Sequence, residues 1–117
     1  MTTIILAAAV ALVSPERMAG VLRQKEQGPP NNPWQFTSAT WSQYTKTPRS
    51  VASPAKHRRV AIAHIEWCIK ALPLLGLPVT PGNVALLWHA GYGTIEQGQV
   101  TPEQRLFAEH VANLYHE

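Results

Sequence analysis

Ser14-Pro15-Glu16-Arg17-Met18-Ala19-Gly20-Val21-Leu22-Arg23-Gln24-Lys25-Glu26-Gln27-Gly28 reads as one complete helix, with its start, its buried face and its stop all written into it. The Ser14 hydroxyl can cap backbone N–H groups that a first turn leaves unpaired. Proline suits the position after it, because its φ is already helical and the donor it lacks has no partner there anyway. Met18, Leu22 and Glu26 then recur at i, i+4 and i+8, and Gly28 is the expected C-cap. Glu26 therefore continues an apolar face. A glutamate in that position either frays into solvent or faces a cleft, and spacing alone leaves both open.

The same punctuation recurs at Ser53-Pro54, Thr80-Pro81 and Thr101-Pro102. The last is the strongest, since Thr101 and Gln104 can form a capping box ahead of an apolar face of Leu106, Val111 and Leu114. The second start opens a long helix from Pro54 to Leu72 with Ile62, Ile65, Ile69 and Leu72 on one face. The third opens Pro81–Ala90, ended by Gly91 and Gly93. A short helix is expected over Ser38–Tyr44, and Gly28 to Gln35 is a loop by composition. Ile4–Val13 reads as a first buried helix rather than a signal peptide, because no Lys or Arg precedes it, and it is too short to span a bilayer. With no strand-period alternation and no internal repeat, the expected fold is all-α: one domain over residues 1–117, of five to six helices with little or no sheet.

Composition narrows the chemistry. All seven acidic residues are Glu, at positions 16, 26, 66, 96, 103, 109 and 117. Without a single Asp, any mechanism that requires aspartate is excluded. Ten Lys and Arg give a net charge of +3, which suits an anionic polymer without choosing between nucleic acid and a bacterial wall. Cys68 is the only cysteine, so no intrachain disulfide can form, and its apolar helix face suggests a buried thiol. The five His form no compact metal pattern, and no glycine-rich phosphate loop or nucleophile elbow is present. No metal and no cofactor are expected.

Three stretches share a resemblance. Lys25-Glu26-Gln27-Gly28 followed by Asn32-Pro33-Trp34-Gln35-Phe36-Thr37-Ser38-Ala39-Thr40-Trp41 resembles the lytic transglycosylase and lysozyme-like superfamily, in which a catalytic Glu ends a helix and a Gln-Phe-Thr-x-x-Thr-Trp loop follows. Ala85-Leu86-Leu87-Trp88-His89-Ala90-Gly91-Tyr92-Gly93 is similar to its Ala-x-x-Tyr-Asn-Ala-Gly-x-Gly segment, and Glu103 to Val111 with Tyr115 to its closing helix. The resemblance covers roughly residues 16–116. It implies a lysozyme-like domain with a substrate cleft, acting as a lytic transglycosylase or muramidase-type glycosidase on the glycan strands of peptidoglycan, as small phage endolysins do; a monomer is expected. By it Glu26 is the acid/base and Gln35 and Thr37 line the cleft, while Trp88 and His89 stand where the family has Tyr and Asn against the sugar. Phe107 stands where the family often has a Tyr whose hydroxyl bonds the Glu, so either another donor, His89 or Tyr92, replaces it or activity is low.

A glycosidase acid must stay protonated near neutral pH, which apolar and aromatic neighbours favour. Hydrolysis needs a second carboxylate, about 5 Å away for retention or roughly 6.5–9.5 Å for inversion. Glu66 is better explained by an i,i+4 pair with Lys70, which leaves Glu96 as the candidate to border the cleft. The transglycosylases of the resembled family need only one carboxylate and form a 1,6-anhydro sugar, which fits a chain with one good Glu and no Asp. Of the aromatics, Trp34 and Tyr92, each in a loop, are expected to face the groove and stack on sugar, and Trp41 to be packed inside. Two other functions compete. One is a non-catalytic wall-binding module with a degenerate site. The other is a nucleic-acid-binding domain using Lys56-His57-Arg58-Arg59, which is disfavoured because those charges sit at a helix N-terminus with no helix-turn-helix spacing after them.

Overall fold

The computed structural model describes residues 13–117, and the helix expected over Ile4–Val13 lies, apart from Val13, outside them. Six α-helices follow in order: α1 (Pro15–Glu26), α2 (Ser38–Ser42), α3 (Pro54–Ala71), α4 (Pro81–Ala90), α5 (Tyr92–Glu96) and α6 (Pro102–Tyr115). Two 3₁₀ turns, Arg49–Val51 and Leu72–Leu75, precede and follow α3. Among the described residues there is no strand, so the architecture is all-α. No helix among them is long and apolar enough to cross a membrane.

All four Ser/Thr-Pro pairs start helices by the mechanism their chemistry suggests. The hydroxyls of Ser14, Ser53, Thr80 and Thr101 accept from the amides of Arg17, Lys56, Asn83 and Gln104 at 3.1–3.2 Å. At α6 the Gln104 side chain returns a bond to the Thr101 amide at 2.9 Å, completing the capping box.

Helix ends differ from expectation. At the C-terminus of α1 it is Gln27, not Gly28, that takes the left-handed conformation, with φ 52°. The short helix stops at Ser42 rather than Tyr44, and Leu72 belongs to the following 3₁₀ turn rather than to α3. Tyr92, expected in a loop, begins α5.

The core forms where apolar stripes meet. α1 contributes Met18, Ala19 and Leu22, and α6 contributes Ala108, Val111 and Tyr115. Four consecutive buried residues, Val84 to Leu87, show that α4 is covered almost all round, as a central helix must be. It lies along α6 and touches α3, while α1 closes the bundle against α3 and α6. Small residues permit the α4–α6 approach: a β-carbon on Gly82 would meet that of Ala112 at 3.6 Å. The amide of Ser14 donates to the Tyr115 hydroxyl at 2.9 Å and so ties the start of α1 to the end of α6.

Two faces are rotated from the sequence expectation. On α3 the buried line is Val60, Ala61, Ile65, Cys68 and Ala71, so that Ile65 of the expected stripe is fully buried while Ile62 and Ile69 fall at its margin. On α6 Leu106 is 51% exposed and Leu114 half-buried, displaced from the centre by Ala108 and Tyr115. Cys68 is buried and unpaired. His57, part of the basic run Lys56-His57-Arg58-Arg59, is buried: its ring packs 4.7 Å from that of Trp41, and its Nε2 donates to the Arg49 carbonyl at 3.0 Å. The exposed basic residues of that run are Arg58 and Arg59, with Lys56 half-buried.

Candidate functional site

Glu26 is the last residue of α1, and a tight loop returns from it to form the wall it faces. Gly28 donates its amide to the Pro33 carbonyl at 3.0 Å, and the Asn32 amide bonds to Pro29 at 2.8 Å. A β-carbon on Gly28 would lie 2.2 Å from the Asn32 carbonyl oxygen, so only glycine lets the chain close here. The Asn32 side chain then brackets Phe36, accepting from its amide and donating to its carbonyl, both at 3.0 Å.

This closure buries Trp34. Its indole N–H donates to the Ala19 carbonyl in α1 at 2.7 Å, and the ring is only 4% exposed. The expectation that Trp34 faces the groove as a stacking surface is therefore corrected. Because the indole has one polar atom and α1 supplies its acceptor, the ring anchors the loop and shows the cavity no more than an edge. Trp41, expected inside, is buried, and its indole N–H donates to the Thr47 carbonyl at 2.6 Å.

Glu26, Trp34, Gln35, Thr37, Trp88 and His89, brought from α1, the loop and α4, line one cavity of about 370 Å³. Phe36, Thr40 and His64 complete its wall. Gln35, at φ 55°, donates from its side-chain amide to the Glu26 backbone carbonyl, holding the helix end in place. The Thr37 hydroxyl caps α2 by accepting from the Thr40 amide at 3.2 Å.

The Glu26 carboxyl is half-buried, and burial pushes its pKa above the ordinary 4.5; a hydrogen bond from Trp88 and the charge of Lys25 pull the other way without prevailing. An indole N–H can only donate, so Trp88 is the donor. Neither His89 nor Tyr92 supplies that bond. His89 instead stacks on Phe107, with ring centres 4.0 Å apart and planes 13° apart, and desolvation lowers its pKa. Phe107 backs His89 and does not line the cavity.

Tyr92 and Glu96, at the two ends of α5, also lie outside the cavity wall. Tyr92 packs against Trp67, 6.4 Å between ring centres, and Glu96 is exposed. Glu96 is thus not brought to the acid, and Glu66 is exposed on α3. Among the described residues, Glu26 is the single carboxylate lining this cavity. No three His, Cys or Glu among them gather as a metal ion would require.

His64, absent from the expected site, comes from α3 with its Nδ1 2.7 Å from the Tyr44 hydroxyl. Its sequence signal is a polar residue at the edge of a buried stripe, between Ala61 and Ile65. A larger cavity of about 680 Å³ lies on the other side of α2, lined by Ser38, Ser42, Thr45, Lys46 and Arg49 among others, but no carboxylate borders it. No protein-family model, curated protein or solved structure matches this chain.

Proposed function

We propose that this protein cleaves the glycan strands of peptidoglycan between N-acetylmuramic acid and N-acetylglucosamine, with Glu26 as the single acid/base, within a lysozyme-like fold. The supporting observation is the carboxyl itself: it ends a helix that buries one face, its pKa is raised by burial despite the opposing influence of the Trp88 indole, and it is the single carboxylate of its cavity among the described residues. That combination suits an acid that must hold a proton and later take one back.

In the proposed reaction the Glu26 proton passes to the glycosidic oxygen as the bond from that oxygen to C1 breaks. The resulting carboxylate then accepts the proton of the muramoyl C6 hydroxyl as O6 bonds to C1. The products are a 1,6-anhydro end and a free hydroxyl on the leaving sugar, and Glu26 regains its proton. Water is not consumed, so a second carboxylate has no task.

Digestion of purified peptidoglycan by the wild type and by Glu26→Gln, with the released fragments read by mass spectrometry, tests this. Anhydro ends that vanish in the variant are expected. Reducing ends would replace the anhydro mechanism by hydrolysis. Sacculus binding with no Glu26-dependent product would favour the wall-binding module, a reading that the missing hydroxyl at Phe107 keeps in view.

A further inference from the structure

His64, in the cavity wall, is surrounded by four aromatic rings. Its plane lies 4° from that of Trp67 with centres 5.5 Å apart, Phe36 and Tyr44 meet it edge-on at 5.9 and 5.6 Å, and Trp88 is tilted against it at 5.2 Å. The Trp88 indole that bonds Glu26 is thus a direct neighbour of His64. The ring nitrogens have different surroundings. Nδ1 is engaged by Tyr44 at 2.7 Å, whereas Nε2 has no hydrogen-bond partner among the described residues and is not among their sealed, unpartnered polar atoms. Because His64 lines the cavity, Nε2 is left for whatever enters it.

We propose that His64 donates a hydrogen bond from Nε2 to an uncharged oxygen of the bound glycan, the carbonyl of a 2-acetamido group, and that Tyr44 sets the tautomer that makes this possible. The inference rests on the glycan-cleavage reading and extends it to the substituent that the cavity recognises. Burial pushes the Tyr44 phenol up to about 12, so it keeps its proton; a tyrosine hydroxyl can donate or accept, and in the proposed arrangement it donates to Nδ1, which leaves the single hydrogen of a neutral imidazole on Nε2. Burial also pushes His64 down to about 4, so the ring brings a donor to the cavity without a positive charge that would strip the proton from Glu26. A neutral donor in an aromatic wall matches a neutral acceptor. The amide carbonyl is the strongest such acceptor on an N-acetylated glycan.

Two measurements test this. Nitrogen NMR of the wild-type imidazoles at pH 7 is expected to show His64 neutral with its hydrogen on Nε2; a charged ring, or hydrogen on Nδ1, overturns the proposal. The second uses the full chain carrying Glu26→Gln, titrated with a tetramer of N-acetylglucosamine and with the corresponding glucosamine tetramer. Adding His64→Phe should weaken the acetylated tetramer by about tenfold and shift the glucosamine tetramer by less than about twofold. Equal losses on both, no loss on the acetylated chain, or no binding of it by the His64 protein would each overturn the inference. The peptidoglycan digest keeps the two ideas apart. Glu26-dependent products without acetyl preference refute the role of His64 alone, and acetyl preference without such products refutes cleavage alone.

Discussion

Gly28 and Glu26 stand two residues apart, and each makes a separate demand on the chain. At Gly28 any β-carbon would press into the Asn32 and Pro33 backbone, 2.2–2.8 Å away, where no flexible side chain can yield. Gly28→Ala is therefore expected to cost about 2 kcal/mol or more and to shift the loop that carries Trp34 and Gln35, lowering both the denaturation midpoint and any Glu26-dependent activity. A variant as stable as the wild type would show that the closure is not needed. At Glu26 the folded protein holds the carboxyl above its ordinary 4.5, so the sign is the reverse of the usual carboxylate. Its favourable share of stability is present below the unfolded pKa and is lost as pH rises through the folded one. Glu26→Gln should thus melt higher than the wild type at pH 7, with the gain shrinking to nothing below about pH 4. A gain independent of pH would mean that burial of charge is not its cause. In sequence, Glu26 was legible as the end of an apolar stripe. Trp34 was misread because a loop tryptophan looks exposed until its N–H is seen to reach a carbonyl fifteen residues earlier.

Helix starts were readable because each is a local event. Ser14, Ser53, Thr80 and Thr101 each bond an amide three residues on, and nothing distant is needed. Thr101→Ala should therefore destabilise the protein by about 1 kcal/mol, read as a lower urea midpoint with an unchanged slope, whereas Thr101→Ser should restore most of it. Loss of slope as well would point to a change beyond the cap. Helix faces were less legible than starts. Of the expected face of α3, Ile65 and Leu72 are fully buried and Ile62 and Ile69 stand at the margin, since periodicity fixes the spacing of a face, while its rotation is decided by which side chains the neighbours can admit. Ala61, Cys68 and Ala71 are small and buried on the helix that packs against both α1 and α4. The same holds for Gly82 and Ala108 between α4 and α6. α5 escaped notice because Gly91 and Gly93 read as a stop, yet Gly91, at φ 90°, ends α4 and in the same turn begins the next helix.

Across the whole molecule an aromatic seam joins parts that the aliphatic core alone does not. Phe36 and Tyr44, on either side of α2, both meet His64 of α3, which stacks on Trp67, and Phe36 also meets Trp88 of α4, so the cavity wall is also a structural joint. The contacts of this seam are not visible in sequence, because most of them span tens of residues; the place of His64 beside a buried stripe marks it as a residue at the margin but not what it meets. The joint makes the fold sensitive to acid in a definite window. With His64 lowered to about 4 from an ordinary 6.5, its contribution is fully present above pH 6.5. As pH falls the unfolded chain takes up a proton that the folded ring refuses, and the contribution is lost on the way down through pH 4. At the outside the loss is about 3 kcal/mol, and Glu26, having the opposite sign, partly masks it. The comparison therefore belongs in the Glu26→Gln background, where urea midpoints at pH 7 and pH 4.5 are measured with and without His64→Phe. The protein retaining His64 should lose clearly more stability between the two pH values than the protein lacking it. Equal losses would mean that the imidazole is charged as readily in the fold as out of it, and that the seam is held by its rings alone.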